Sequence, residues 1–433
     1  MEALISLSVA LLAGLLLSRL AKLLKLPAVT AYLVAGILVG PYLLGRLGNL
    51  WGLSWLGFPT LEHVKGYEIL CDAALGFIAF SIGNEFRVSQ LKKIGKQATI
   101  IGILQAVITT ALVDIALIAL HFAFPVVLTL PAAITLGAIA AATAPAATLM
   151  VVKQYKAKGA LTDILLPVVA LDDAVGLVLF AVSFGVANAL GSGSVDILSV
   201  AVEPILEVVL SLGLGFVMGL LFSLCERFFH SRSKRLAVSV AFVLLTIGLS
   251  MVKFQIGNVH VGFSTLLVCM MLGTVFCNIC DFSEELMDRV DRWTAPLFVL
   301  FFVLSGAELE LSVFASGTIL LVGFVYILAR SAGKYSGAFL SSKLAKCDDN
   351  IVKYLGVTLL PQAGVALGMA MKAAELPNGG ELVQNITLFA VLIYELIGPM
   401  LTKIALTKAG DIDPEGKTSA RHEHAKKKQQ QQA

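Results

Sequence analysis

Apolar runs long enough for a membrane helix, parted by short polar clusters, follow one another along nearly the whole chain. At 1.5 Å rise per residue, about 20 apolar residues cross the roughly 30 Å hydrocarbon core of a bilayer. By that measure the pattern predicts thirteen transmembrane helices. They fall at about residues 3–20, 27–45, 68–84, 98–121, 126–150, 161–190, 199–224, 236–252, 258–279, 293–309, 312–342, 354–375 and 382–407. The eighth, ninth and tenth are the weakest in length and apolarity. The first run, "MEALISLSVALLAGLLLSRLAKLLK", has an acid before it and its basic residues after it. That is the reverse of a secretory leader, so the run is predicted to stay as a helix.

The polar clusters test this division. Alternate connections hold "SRLAKLLK", "FRVSQLKKIGK", "KQYKAK", "ERFFHSRSKR", "DRVDR" and "SSKLAKCDDNIVK", and the tail is basic as well. The connections between them hold only Arg46, Lys65, Lys253 and Lys372. Under the positive-inside rule the N-terminus is outside and the C-terminus cytoplasmic, in a multi-pass protein of the cell membrane. Trp51, Trp55 and Phe58, in the outer connection at 46–67, read as an interfacial aromatic belt. Residues 409–433 are polar, basic and low in complexity, and read as a disordered cytoplasmic tail with no folded domain after it.

Composition narrows the class. Of 433 residues, 58% are hydrophobic and only 14% charged, where a soluble protein carries about 25% charged residues. The net charge of +3 says little until it is mapped onto the connections, and no nucleic-acid partner is expected. The six cysteines are scattered, and "CNIC" (Cys277 to Cys280) has no second pair, which argues against zinc or redox chemistry. No cofactor is predicted.

Two apolar runs are broken by proline: "AIAAATAPAATLMV" around Pro145 and "GVTLLPQAGVALG" around Pro361. Proline removes a backbone hydrogen bond, and at membrane depth the freed groups must be satisfied by protein or a watery cavity. These are the fifth and twelfth runs, so an offset of seven places them in opposite orientation. The run after each holds an acid: Asp172 and Asp173 in "VALDDAVGLVLF", and Glu395 in the last run. Matching broken helices in two inverted halves point to a transporter's midplane site.

The acids lie about 15 Å into their run, at the midplane. Adjacent helical residues point roughly 100° apart, so Asp172 and Asp173 share surroundings without sharing a partner. In "YILARSAGKYSGAFL", Arg330 lies about 20 Å from the cytoplasmic end, while Lys334, one turn nearer water, is expected to snorkel to the interface. A buried guanidinium needs a carboxylate, and Asp172, Asp173 and Glu395 are the candidates. One acid paired with a base can be a static feature. A second acid beside it reads as a carboxyl that exchanges a proton for a cation. Asp114, nearer the outer end of its run, reads as a packing or cavity residue.

Taken in order, "LPAVTAYLVAGILVGP", "ALGFIAFSIGNEF", "ATAPAAT", "LDDAVGLVLF", "PLFVLFFVLSGAELEL", "ARSAGKYSGAFL", "LLPQAGVALG" and "LIGPMLTKIAL" resemble the monovalent cation:proton antiporter superfamily. The branch most like this chain is the bacterial sodium/proton exchangers with a double aspartate. The resemblance covers about residues 26–407. It implies an all-α fold of thirteen helices in two inverted repeats, with crossing broken helices. The core would be helices at about 98–190 and 312–407. A dimer domain would comprise those at about 3–84 and 236–309, with a linker at about 199–224. It further implies a homodimer and elevator-like alternating access. Asp173 would bind the ion and the proton, Asp172 would pair with Arg330, and Thr143 would line the crossing. Apart from the resemblance, the cost of an unpaired buried guanidinium leads us to expect Arg330, with Glu395 and Lys334 as further compensating charges, to pass between Asp172 and Glu395. The polar residue common after the threonine is Ala144 here. A lysine is familiar in electrogenic members where this chain is read as having Arg330.

The function expected is Na+/H+ antiport, with Li+ also possible as the cation and K+/H+ antiport as the alternative, and with no catalytic residues. An intramembrane aspartyl protease also needs two membrane aspartates, but on facing helices so that they share a proton. Asp172 and Asp173 are neighbours in one run, and no GxGD stretch occurs. A channel is disfavoured because no filter sequence is present.

Overall fold

The interrupted runs are interrupted in space. The computed structural model describes residues 2–24, 26–50, 57–84, 86–192, 197–252, 254–256, 259–308, 317–363, 365–374, 376 and 379–413. The chain begins with α1 (Glu2–Leu23), α2 (Ala28–Val39), the short α3 (Leu44–Leu50) and α4 (Leu61–Lys65), and α5 (Glu68–Asn84). There follow α6 (Val88–Ala123), α7 (Leu130–Ile139), α8 (Pro145–Tyr155), α9 (Ala160–Ser192) and α10 (Ile197–Arg227). Next come α11 (Arg232–Ser250), α12 (Thr265–Ile279), α13 (Ser283–Glu308), α14 (Gly317–Leu344), α15 (Asp349–Thr358), α16 (Val365–Ala373) and α17 (Gly380–Ala409). Among the described residues, nine helices are long and apolar enough to cross a membrane. The fifth predicted run is split into α7 and α8, and the twelfth into α15 and α16.

Local chemistry sets several boundaries. Thr129 caps α7, its hydroxyl accepting from the Ala132 N–H, with Pro131 in the first turn where its missing donor costs nothing. Pro145 opens α8 in the same way. α17 stops at Gly410, whose φ of 86° is the left-handed conformation glycine adopts without strain, and whose N–H caps Leu406 and Thr407.

Three features differ from the sequence reading. Among the described residues the architecture is helical throughout but for a short antiparallel ribbon of Phe254–Ile256 and Val259–Val261 (β1 and β2). Its alternating β-branched and polar residues favour strands, and the helix expected from about residue 258 starts only at Thr265, after the Ser264 cap. "DRVDR", read as a connection, lies inside α13. Phe58 is not at a lipid interface: it is fully buried, edge-on to His63 and Tyr67. Trp51, Trp55 and residues 414–433 lie outside the described residues.

The buried side chains form two main assemblies. One joins α2, α5, α12 and α13 around Phe77, Phe80, Phe276 and Phe302. The other joins α6, α7, α9, α14, α16 and α17 around Leu136, Phe180, Tyr326 and Tyr394. In the first, glycines let backbones touch: a side chain on Gly36 would strike the Val303 carbonyl, and one on Gly306 the Leu33 backbone. Such small-residue crossings supply the close packing that apolar helices need where lipid competes for every apolar contact.

Candidate functional site

Four half-helices meet at the two breaks, residues 140–144 and 359–363. Past the ends of α7 and α15 the carbonyls of the breaks have no helical partners, and four of them are met from α14 by two residues one turn apart. Arg330 donates through Nε to Ala140 O (3.0 Å), through one Nη to Ala142 O (2.7 Å) and through the other to Leu360 O (2.7 Å). Lys334 donates to the Ala141 carbonyl between them. The breaks also satisfy each other: Ala144 N–H donates to Pro361 O (2.8 Å), and the Gln362 amide to Ile139 O (3.0 Å). Two cations thus sit where the negative ends of two half-helices converge.

The expected Arg330–Asp172 pair does not form. Lys334, expected to reach toward water, is fully buried and makes the ion pair, Nζ to Asp172 Oδ2 at 2.6 Å. Lys334 also donates to Thr143 Oγ1 (2.9 Å) and Gln105 Oε1 (3.2 Å), and both of those residues donate to Asp172. The Thr143 hydroxyl has Leu359 O as a second acceptor at 3.3 Å. Geometry explains the exchange of roles. A planar guanidinium with five donors spans the carbonyls of two chains, whereas a compact ammonium fits between one carboxylate and its neighbours. Asp172 is therefore a carboxylate with every oxygen engaged.

Asp173 is the opposite case. It is 1% exposed, and among the described residues neither carboxylate oxygen has a hydrogen-bond partner. A charged, unpartnered carboxylate in a protein interior costs several kcal/mol, so such a group takes up a proton or a cation. The arrangement leaves one buried carboxyl without a partner next in sequence to a satisfied Asp172–Lys334 pair.

Glu395 does not reach Arg330's side of the crossing. Arg330 stacks on the ring of its neighbour Tyr394, 4.5 Å from the centroid, while Glu395 lines a separate cavity of about 240 Å³ with Ala144 and Pro145. The expected passage of Arg330 from Asp172 to Glu395 has no counterpart here, because its three carbonyl bonds fix it elsewhere. Asp114 packs beside Gly137 on α7 with one oxygen unpartnered. Cys277 and Cys280 are buried among helices. Sequence reasoning missed Gln105 and Gln362. Each is a lone amide in an apolar run, and that was the available signal.

A second, larger cavity of about 1320 Å³ lies between α8 and α9 on one side and α1, α2 and α13 on the other. It reaches Pro167, six residues before Asp173, or about 9 Å along the helix. Lys153 of α8 crosses it to Asp291 of α13 (2.6 Å). Asp411, just past α17, accepts from the Thr162 N–H and hydroxyl at this face.

Residues 7–408 match the model of a family described as "Sodium/hydrogen exchanger, transmembrane". The Na(+)/H(+) antiporter 1 of Methanocaldococcus jannaschii is 24% identical over 347 residues, covering 76% of this chain and 75% of that protein. A solved structure of the sodium proton antiporter MjNhaP1 from the same organism at pH 8 superposes with a TM-score of 0.64, at 21% identity, over 94% of this chain and 99% of that one. An electron-microscopy structure of MjNhaP1 gives a TM-score of 0.70 at 18% identity, over 95% of each chain. At these identities the structures establish a shared fold.

Proposed function

The chain belongs to the sodium/hydrogen exchanger family, within the monovalent cation:proton antiporters. From that premise we propose that it exchanges Na+ for H+ by alternating access, its core helices moving elevator-fashion. The observation that carries this reading is Asp173, a buried carboxyl with no partner beside an acid that is fully paired. Na+ on Asp173, with Thr143 and turn carbonyls as neutral ligands, and H+ on Asp173 are then mutually exclusive loads, which is what exchange requires. The large cavity is the route to the site from the cytoplasmic face.

Thirteen crossings result if α7 with α8, and α15 with α16, each count as one. The termini support that number. Ala3 lies beside Tyr67 at the end where α5 begins, whereas Asp411 lies at the far end beside Thr162. We take the N-terminus as outside and the C-terminus as cytoplasmic, in a bacterial inner membrane. The helices of the first assembly would form a homodimer, with α10 as linker.

Lys334 bears on stoichiometry. A lysine can release its proton when a cation takes its place between the aspartates, and an arginine cannot. Exchange then moves two protons per cation and carries charge. Lys334→Arg is expected to make residual exchange insensitive to an imposed membrane potential. Voltage-driven exchange persisting in that variant would count against the lysine.

The direct test is dequenching of a pH dye in everted vesicles on adding Na+, Li+ or K+ in turn. A response to K+ alone would replace Na+ by K+ as substrate; no response to any would reject antiport. Thr143→Ala removes one hydrogen bond to a charged group. It is expected to raise the apparent KM for Na+ by about tenfold with a smaller effect on maximal rate. An unchanged KM would remove Thr143 from the site.

A further inference from the structure

The cavity behind the crossing contains a group that the exchange mechanism above does not use. Glu395 is 5% exposed, lines that cavity, and has no hydrogen bond or ion pair among the described residues. The cavity's inner wall is Ala144, Pro145 and Ala363, the two breaks themselves, whose other side carries Thr143 against Asp172. It is separate from the large cavity and sits toward the end where α5 begins and α13 stops. Three more acids continue outward from it. Glu395 lies in the electrostatic field of Glu308, the last residue of α13, and Glu308 in that of Asp72 and Glu68 on α5. Lys65 is the opposing charge near Glu308. Burial is graded along this row: Glu68 is exposed, Asp72 and Glu308 are half-buried, and Glu395 is buried.

We infer that Glu395 is a second station for a monovalent cation, on the route between the breaks and the face opposite the large cavity, with Glu308, Asp72 and Glu68 as its outer steps. Static compensation of helix ends is the competing role. The N-termini of α8 and α16 border the cavity, but a helix end carries only about half an elementary charge. Glu395 and Glu308 repel each other, and their two charges exceed what those ends balance unless a proton or a cation joins them. A graded row of acids into a low-dielectric cleft raises local cation concentration along its length. The inference rests on Asp173 being the transport site.

Two measurements on the full-length protein decide it. The first is equilibrium binding of radioactive Na+ to purified Asp173→Asn. Retained weak Na+ binding that disappears in Asp173→Asn/Glu395→Gln is the expected result. No retained binding, or binding that survives Glu395→Gln, overturns the inference. The second uses vesicles of known orientation, scored by protease access to the tail. Glu395→Gln is expected to raise the apparent KM for Na+ added on the Glu68 face by about tenfold, as for removal of one charge at intermediate dielectric. The shift from the tail face should be much smaller, and Glu395→Asp should restore most of the loss. Equal shifts from both faces, or none, would assign Glu395 to balancing helix ends. Transport surviving in Asp173→Asn would instead overturn the proposed function, so the two failures are distinguishable.

Discussion

Asp173→Asn is expected to reduce Na+-driven proton movement to the level of protein-free vesicles while the protein still inserts and folds. The physical case is asymmetric. The carboxylate has no hydrogen-bond partner to lose, so an amide of the same shape sacrifices no native contact and removes the cost of a buried charge. What is lost is the capacity to hold a proton at one stage and a cation at another. Asp173→Glu keeps that capacity with a different reach, and should retain exchange at altered affinity. The measurement is dye dequenching with thermal unfolding recorded on the same preparation. Substantial exchange by the stable Asn variant would move the site elsewhere.

The second large effect is expected at Lys334. Lys334→Met strands Asp172, whose ion pair is fully buried, and leaves the Ala141 carbonyl without its donor. Breaking a buried pair by removing one partner costs about 3–5 kcal/mol, so a marked drop in the thermal midpoint should follow. Asp172→Asn introduced alongside removes the stranded charge and should recover most of the midpoint without recovering transport. If the single and double variants were equally unstable, the pair would not be what Lys334 stabilises. Arg330→Lys makes a useful contrast. It keeps the charge but cannot span both breaks, so it should lower the midpoint through lost carbonyl bonds while Asp172 keeps its partner.

These two variants also mark the boundary of what the sequence could say. The breaks at Pro145 and Pro361, the double aspartate and the deep Arg330 were legible, whereas the burial of Lys334 was not. Each violates a local rule, because proline inside an apolar helix and charge inside hydrocarbon are costly wherever they occur. The phase of the acids was legible too: residues 100° apart on a helix cannot share one partner, and only one of the two is engaged. The general division into membrane-length helices followed from run length, since a bilayer sets a fixed distance to span.

Which cation met which acid was a different kind of question. Arg330 and Lys334 are one turn apart on the same face of α14, so periodicity treats them alike. The choice was made by the geometry of the crossing. Three successive carbonyls from one break and one from the other lie where a guanidinium fork reaches several of them at once. The pocket left beside Asp172 suits a point charge. Glu395 shows the same limit: its run placed it at the right depth, but only packing turned Tyr394 toward Arg330 and Glu395 toward a separate cavity. Phe58 read as a belt residue because aromatic rings suit an interface, and tertiary contacts buried it. Depth, breakage and the cost of charge are properties of a segment in its solvent, and the sequence by itself determined them. Partner choice depends on where separate segments bring their carbonyls and carboxylates together, and only the tertiary structure decided it.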